Sequence, residues 1–178
     1  MQTVHILLKF TLSKHIKMTT GQKTFLLKCI VLLVIAAGVN ACNDFDVEKK
    51  IPDAQWSYND TIDFKVPITD TTRLYNLYIK FAHSDTFPNQ NIYLKLYTRF
   101  PDGKRVSRIR SFDLYDAEGK PQGKCSGSTC EAKILLQDKL YFNQIGDYLI
   151  TLEQYSRSNP LIGLSTVGLS LEKTEAKR

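Results

Sequence analysis

The fold is decided by Asp60-Thr61-Ile62-Asp63-Phe64-Lys65-Val66-Pro67-Ile68. Ile62, Phe64, Val66 and Ile68 alternate with Asp63, Lys65 and Pro67, and a period of two sends the apolar set to one face of a half-buried strand. Pro67 has no N–H to give to a ladder, which puts this strand at a sheet edge. Downstream, Tyr75, Leu77, Ile79 and Phe81 keep the same period, as do Ile92, Leu94, Leu96 and Phe100. Pro101-Asp102-Gly103-Lys104 is turn chemistry, with Pro presetting φ and Gly taking a positive φ, so Arg105 to Tyr115 pairs back as a hairpin. Asp116 to Gly119 makes the next turn, and Lys120 to Glu131 reads as a long loop. Short apolar runs follow at Lys133–Leu136 and Leu140–Phe142. Tyr148, Ile150 and Leu152 alternate after the Gly146-Asp147 turn, and Val167, Leu169 and Leu171 close the domain. Seven or eight short strands without a good helix predict an all-β, antiparallel β-sandwich, Ig-like or jelly-roll-like, with a closed barrel as the alternative.

Upstream of the strands the chain changes character. Cys29 to Val39 is an apolar run of eleven residues behind Lys23 and Lys28. That is short of the about 20 residues needed to cross a hydrocarbon core of about 30 Å, and it fits the h-region of a secretory signal. The run ends in Val39-Asn40-Ala41-Cys42, a branched apolar residue three before a cysteine and a small residue just before it, which is a bacterial lipobox with an unusual Asn in the middle. The expectation is a signal peptide over 1–41, with Met18 as the true start, and lipidation of the Cys42 thiol. A plain signal with an incidental cysteine is the rival reading. A diacylglyceryl group supplies the two chains that stable anchoring requires. Residues 42–58 read as a lipidated cysteine and polar tether, 59–173 as the sandwich and 174–178 as a polar tail. The acids Asp44, Asp46 and Glu48 in the tether are read either as a surface-export signal or as a solvated linker.

The cut removes one function class. The whole chain carries a formal +6, but Lys9, Lys14, Lys17, Lys23 and Lys28 precede Cys42, and taking those five from 24 basic residues leaves 19 against 18 acidic ones. A nucleic-acid role suggested by the overall basicity disappears with the leader. The 137 residues that remain of 178 after the 41-residue leader are enough for one self-sufficient core.

Cys125 and Cys130 are then the remaining cysteines, five apart in a Gly/Ser-rich stretch. In an exported protein that spacing reads as a local disulfide, contributing less than the roughly 3 kcal/mol of a 15-residue loop. Two free thiols, or half a zinc site, are the other readings, and zinc lacks partners because His83 is the one histidine after the leader.

No nucleophile elbow, phosphate-binding loop or dinucleotide fingerprint occurs, so neither an enzyme nor a small-molecule cofactor or metal is expected. His83 reads as a polar residue at a strand end. Two candidate binding faces remain. Lys104, Arg108 and Arg110 place positive charge along one hairpin strand, which equally reads as protection of a sheet edge. Tyr78, Tyr93 and Tyr97 lie opposite the apolar faces of their strands, where they would stack on sugars, anchor a protein partner or simply form a sandwich's outer face.

Together these residues resemble the gliding-motility lipoprotein GldH family of Bacteroidetes. The resemblance rests on Ile51-Pro52 with Trp56, Asp70-Thr71-Thr72 with Tyr75-Asn76-Leu77, Phe87-Pro88-Asn89, Phe100 to Lys104, Gly146-Asp147-Tyr148, Glu153-Gln154, and Pro160-Leu161 through Val167-Gly168-Leu169. It implies an outer-membrane-associated lipoprotein, without established catalysis, that supports gliding machinery and type IX secretion. Its implied partners are the membrane and other envelope proteins. Only the lipidated cysteine carries over, onto Cys42.

Overall fold

The computed structural model describes residues 45–177, so the leader, Met18 and Cys42 lie outside the described residues. Eleven strands run through it: β1 Phe45–Lys50, β2 Gln55–Trp56, β3 Ile62–Ile68, β4 Arg73–Ser84, β5 Asn91–Arg99, β6 Arg105–Asp113, β7 Lys124–Ser126, β8 Thr129–Leu140, β9 Gly146–Gln154, β10 Leu161–Ile162 and β11 Leu164–Lys177. They form an antiparallel five-stranded sheet in the order β1-β11-β4-β8-β7, a four-stranded sheet in the order β3-β9-β5-β6, and a small β10-β2 pair. None closes on itself among the described residues, so the architecture is the β-sandwich rather than the barrel.

Alternation in sequence becomes burial in space. Tyr75, Leu77, Ile79 and Phe81 turn inward from β4, and Phe64, Val66 and Ile68 join the same core from β3. Each sheet has one apolar face that is stable only against another layer, and the two faces supply that to each other. The Pro67-bearing strand is an edge, as its missing N–H requires, and the β5–β6 hairpin turns through Gly103 at φ +86. β1 lies beside β3 on one flank of the sandwich; β8 and β6 face each other across the opposite flank.

Three expectations need correction. The stretch read as a tether contains β1, paired with β11 from Phe45↔Leu171 to Lys50↔Thr166, followed by Trp56, buried with its Nε1 donating to the Asp60 carbonyl at 2.5 Å. Periodicity missed β1 because periodicity reports side-chain burial, and this edge strand buries Phe45 while exposing the rest. Its acids are structural: Lys80 donates to Asp46 at 2.7 Å and sits 2.5 Å from Glu48. Burial works against the Lys80 charge, but the hydrogen bonds to the two carboxylates outweigh it and raise its pKa above 10.5. The tail also belongs to the sheet, since β11 reaches Lys177 opposite Arg73 and Thr174 Oγ1 donates to the Leu74 carbonyl at 3.0 Å. The loop over 120–131 contains β7, which turns back onto β8. His83 stands at the end of β4, as read, and is fully buried there, with Nδ1 2.8 Å from the Ser84 carbonyl oxygen and its ring packed against Phe87 and Tyr115.

Candidate functional site

The predicted binding residues do not form one surface. Tyr78 stands on the outer side of β4 in the five-stranded sheet, with the Lys133 ammonium 4.4 Å above its ring. Tyr93 and Tyr97 stand on the outer side of β5, on the other sheet and therefore on the opposite side of the sandwich. Tyr93 is 42% exposed, whereas the Tyr97 hydroxyl donates to Glu153 Oε2 at 2.6 Å with the Lys95 ammonium 5.0 Å from its ring centre. Lys104 belongs to the hairpin turn, its backbone N–H held by Asp102 Oδ1 at 2.9 Å. Cys125 and Cys130 face each other in the β7–β8 register and are joined by a disulfide.

Arg108 and Arg110 have a different setting. In the β5–β6 ladder Leu96 pairs with Arg108 and Leu94 with Arg110. Directly paired residues share a face, so the two arginines and Val106 project on the inner side with the core leucines. The hairpin register was countable from the Pro101–Lys104 turn, but a list of charges along one strand does not reveal which face each charge takes.

These inward arginines border a cleft of about 250 Å³ between the sheets. Its walls are mainly apolar, with Leu77 from β4, Leu96 from β5, Val106 from β6, Leu136 and Leu140 from β8, and Ile150 from β9, and the neutral polar side chains of Thr98, Ser107, Gln137 and Asn143 among them. The cleft exists because the flank is unfinished. β6 is the last strand of its sheet, and β7 pairs only with Thr129, Cys130 and Glu131, which leaves Ala132–Leu140 of β8 without a neighbour on that side among the described residues. At one end the β8–β9 loop folds Phe142 between Tyr75 and Tyr148, with ring centres 5.4 and 4.8 Å away. Tyr148, whose hydroxyl donates to the Gln144 carbonyl at 3.1 Å, has its pKa raised, mainly by burial. Among the described residues no Asp or Glu lines the cleft, and Arg108 and Arg110 bring the only formal charges to it. Neither forms an ion pair among the described residues. The missed residues are mostly ordinary core types; only their place on an uncovered flank makes them a site.

Comparison with known proteins shows what the chain is similar to. A family model described as GldH lipoprotein matches residues 43–171. A protein of Christiangramia forsetii named a gliding motility lipoprotein GldH homolog is 25% identical over 68% of this chain and 79% of its own length. One of Flavobacterium johnsoniae named gliding motility lipoprotein GldH is 23% identical over 82% of this chain and 96% of its own. A solved structure from Sulfurospirillum deleyianum covers 74% of this chain and 99% of its own at 14% identity and a TM-score of 0.36, too loose a superposition to inform the site.

Proposed function

The chain belongs to the GldH lipoprotein family, and from that premise we propose that it is a lipid-anchored protein of the cell envelope, acting without catalysis as an assembly or interaction module that supports gliding motility and type IX secretion. The observation that carries this reading is the extent of the family match: residues 43–171 take in every strand from β1 to the core half of β11, so the whole sandwich is the shared unit. Acylation at Cys42 holds it on the outer membrane. Because two residues separate Cys42 from Phe45, an extended chain carries the start of β1 no more than about 11 Å from the anchor. The domain therefore rides close to the lipid surface rather than on a long leash.

The test has two parts. Deleting the gene is expected to impair surface spreading and secretion, and normal performance in both would defeat the assembly role. Cys42→Ala is expected to lose palmitate labelling and to leave the envelope fraction; a variant that still fractionates with membranes would remove the anchor. A second reading, a glycan- or protein-binding envelope lipoprotein of a non-motile member, is favoured by the exposure of Tyr93 beside Tyr97 on one outer face. Glycan-array binding that falls on Tyr93→Ala would support it.

A further inference from the structure

We propose that the cleft between β6 and β8 receives one acyl chain of an anionic membrane lipid, with Arg108 and Arg110 holding the acidic head at its mouth. The inference rests on the lipoprotein reading for the supply of lipid, but its chemistry comes from the cleft. Leu77, Leu96, Leu136, Leu140 and Ile150 offer an apolar slot, and small-molecule sites are commonly apolar hollows with a few placed polar groups. The charged groups that line it are of one sign. Two guanidiniums project inward from the edge strand, no carboxylate answers them along the lining, and each presents a fork suited to a carboxylate or phosphate. The cleft residues are also less completely covered than the deep core: Leu77, Leu96 and Ile150 keep 7–9% of their surface while Leu94 and Leu152 keep none. The alternative role of inward charges, repelling a strand that would add to the β6 edge, explains one arginine as well as two. It does not explain an apolar hollow behind them.

Cells expressing the full chain are fed a clickable, photoactivatable fatty acid, irradiated, and the purified protein is mapped by peptide mass spectrometry. Light-dependent adducts are expected on Val106–Arg110 and Leu136–Asn143. The double variant R108E/R110E, with exposed positions that should not disturb folding, is expected to lower those adducts about tenfold, a difference of about 1.4 kcal/mol. Val106→Trp, which narrows the slot, is expected to lower them comparably while a melting curve confirms the fold. Label on the Cys42 peptide, which needs no light, reports the anchor separately. Cleft adducts that are absent, spread evenly over the surface, or unchanged in both variants overturn the proposal even when Cys42 is labelled.

Discussion

Gly168→Val tests whether the segment after the anchor is a strand or a leash. A Cβ at position 168 would meet Glu48 Cγ at 2.7 Å and the Val47 carbonyl oxygen at 2.9 Å, so a branched side chain drives β1 off β11. The substitution suits strand backbone in itself, since β-branched residues favour extended conformations, and the loss is assignable to the lost pairing. Releasing β1 gives up six registered pairs, yet their net hydrogen-bond contribution of about 1 kcal/mol each is offset by about 1–2 kcal/mol of chain entropy regained per residue. What remains is the burial of Phe45, about 2 kcal/mol, and the Lys80 cluster, about 1 kcal/mol. The expected destabilisation is therefore about 3 kcal/mol, or a fall in melting temperature of about 10 °C for a domain of this size. Circular-dichroism melting measures the fall, and hydrogen exchange at residues 45–50 reports the strand directly. An unchanged melting temperature, or wild-type amides over 45–50 that exchange as fast as in a free peptide, would refute the reasoning.

Lys80→Met removes the cation shared by Asp46 and Glu48 and is expected to cost about 1 kcal/mol at neutral pH. Because the folded pKa of Lys80 is raised, its contribution is complete below the unfolded value of 10.5 and fades as pH climbs through the folded one. The gap between wild type and variant should thus close in strongly alkaline melts, and a constant gap would contradict this. Cys130→Ser opens a five-residue separation and is expected to cost about 2 kcal/mol at most in chemical denaturation, with the rest of the sheet unaffected; loss of the whole fold would show a larger role for β7. Trp56→Ala empties a buried site and should cost about 3–5 kcal/mol in the same assay, whereas a cost under about 1 kcal/mol would place Trp56 outside the core.

The two-residue period of β3, β4, β5 and β9 set the fold class from the residues alone, because a strand that buries one face must alternate and nothing else in the chain competes with that signal. The turn at Pro101–Lys104 was equally local, since Gly103 needs only its own φ. The lipidation proposed at Cys42 rests on a linear pattern, an apolar run, a small residue and a cysteine, that is legible without the fold. Other features required the assembled sheets. β1 and the end of β11 are polar segments held by backbone pairing, and pairing leaves no mark on composition. The burial of His83 depends on Phe87 and Tyr115 arriving from other loops. Above all, Arg108 and Arg110 are exposed cations in sequence and the guardians of an apolar cleft in space. That change of meaning comes from strand order, which leaves β6 and β8 at one uncovered flank, and strand order is a long-range choice that no local stretch encodes.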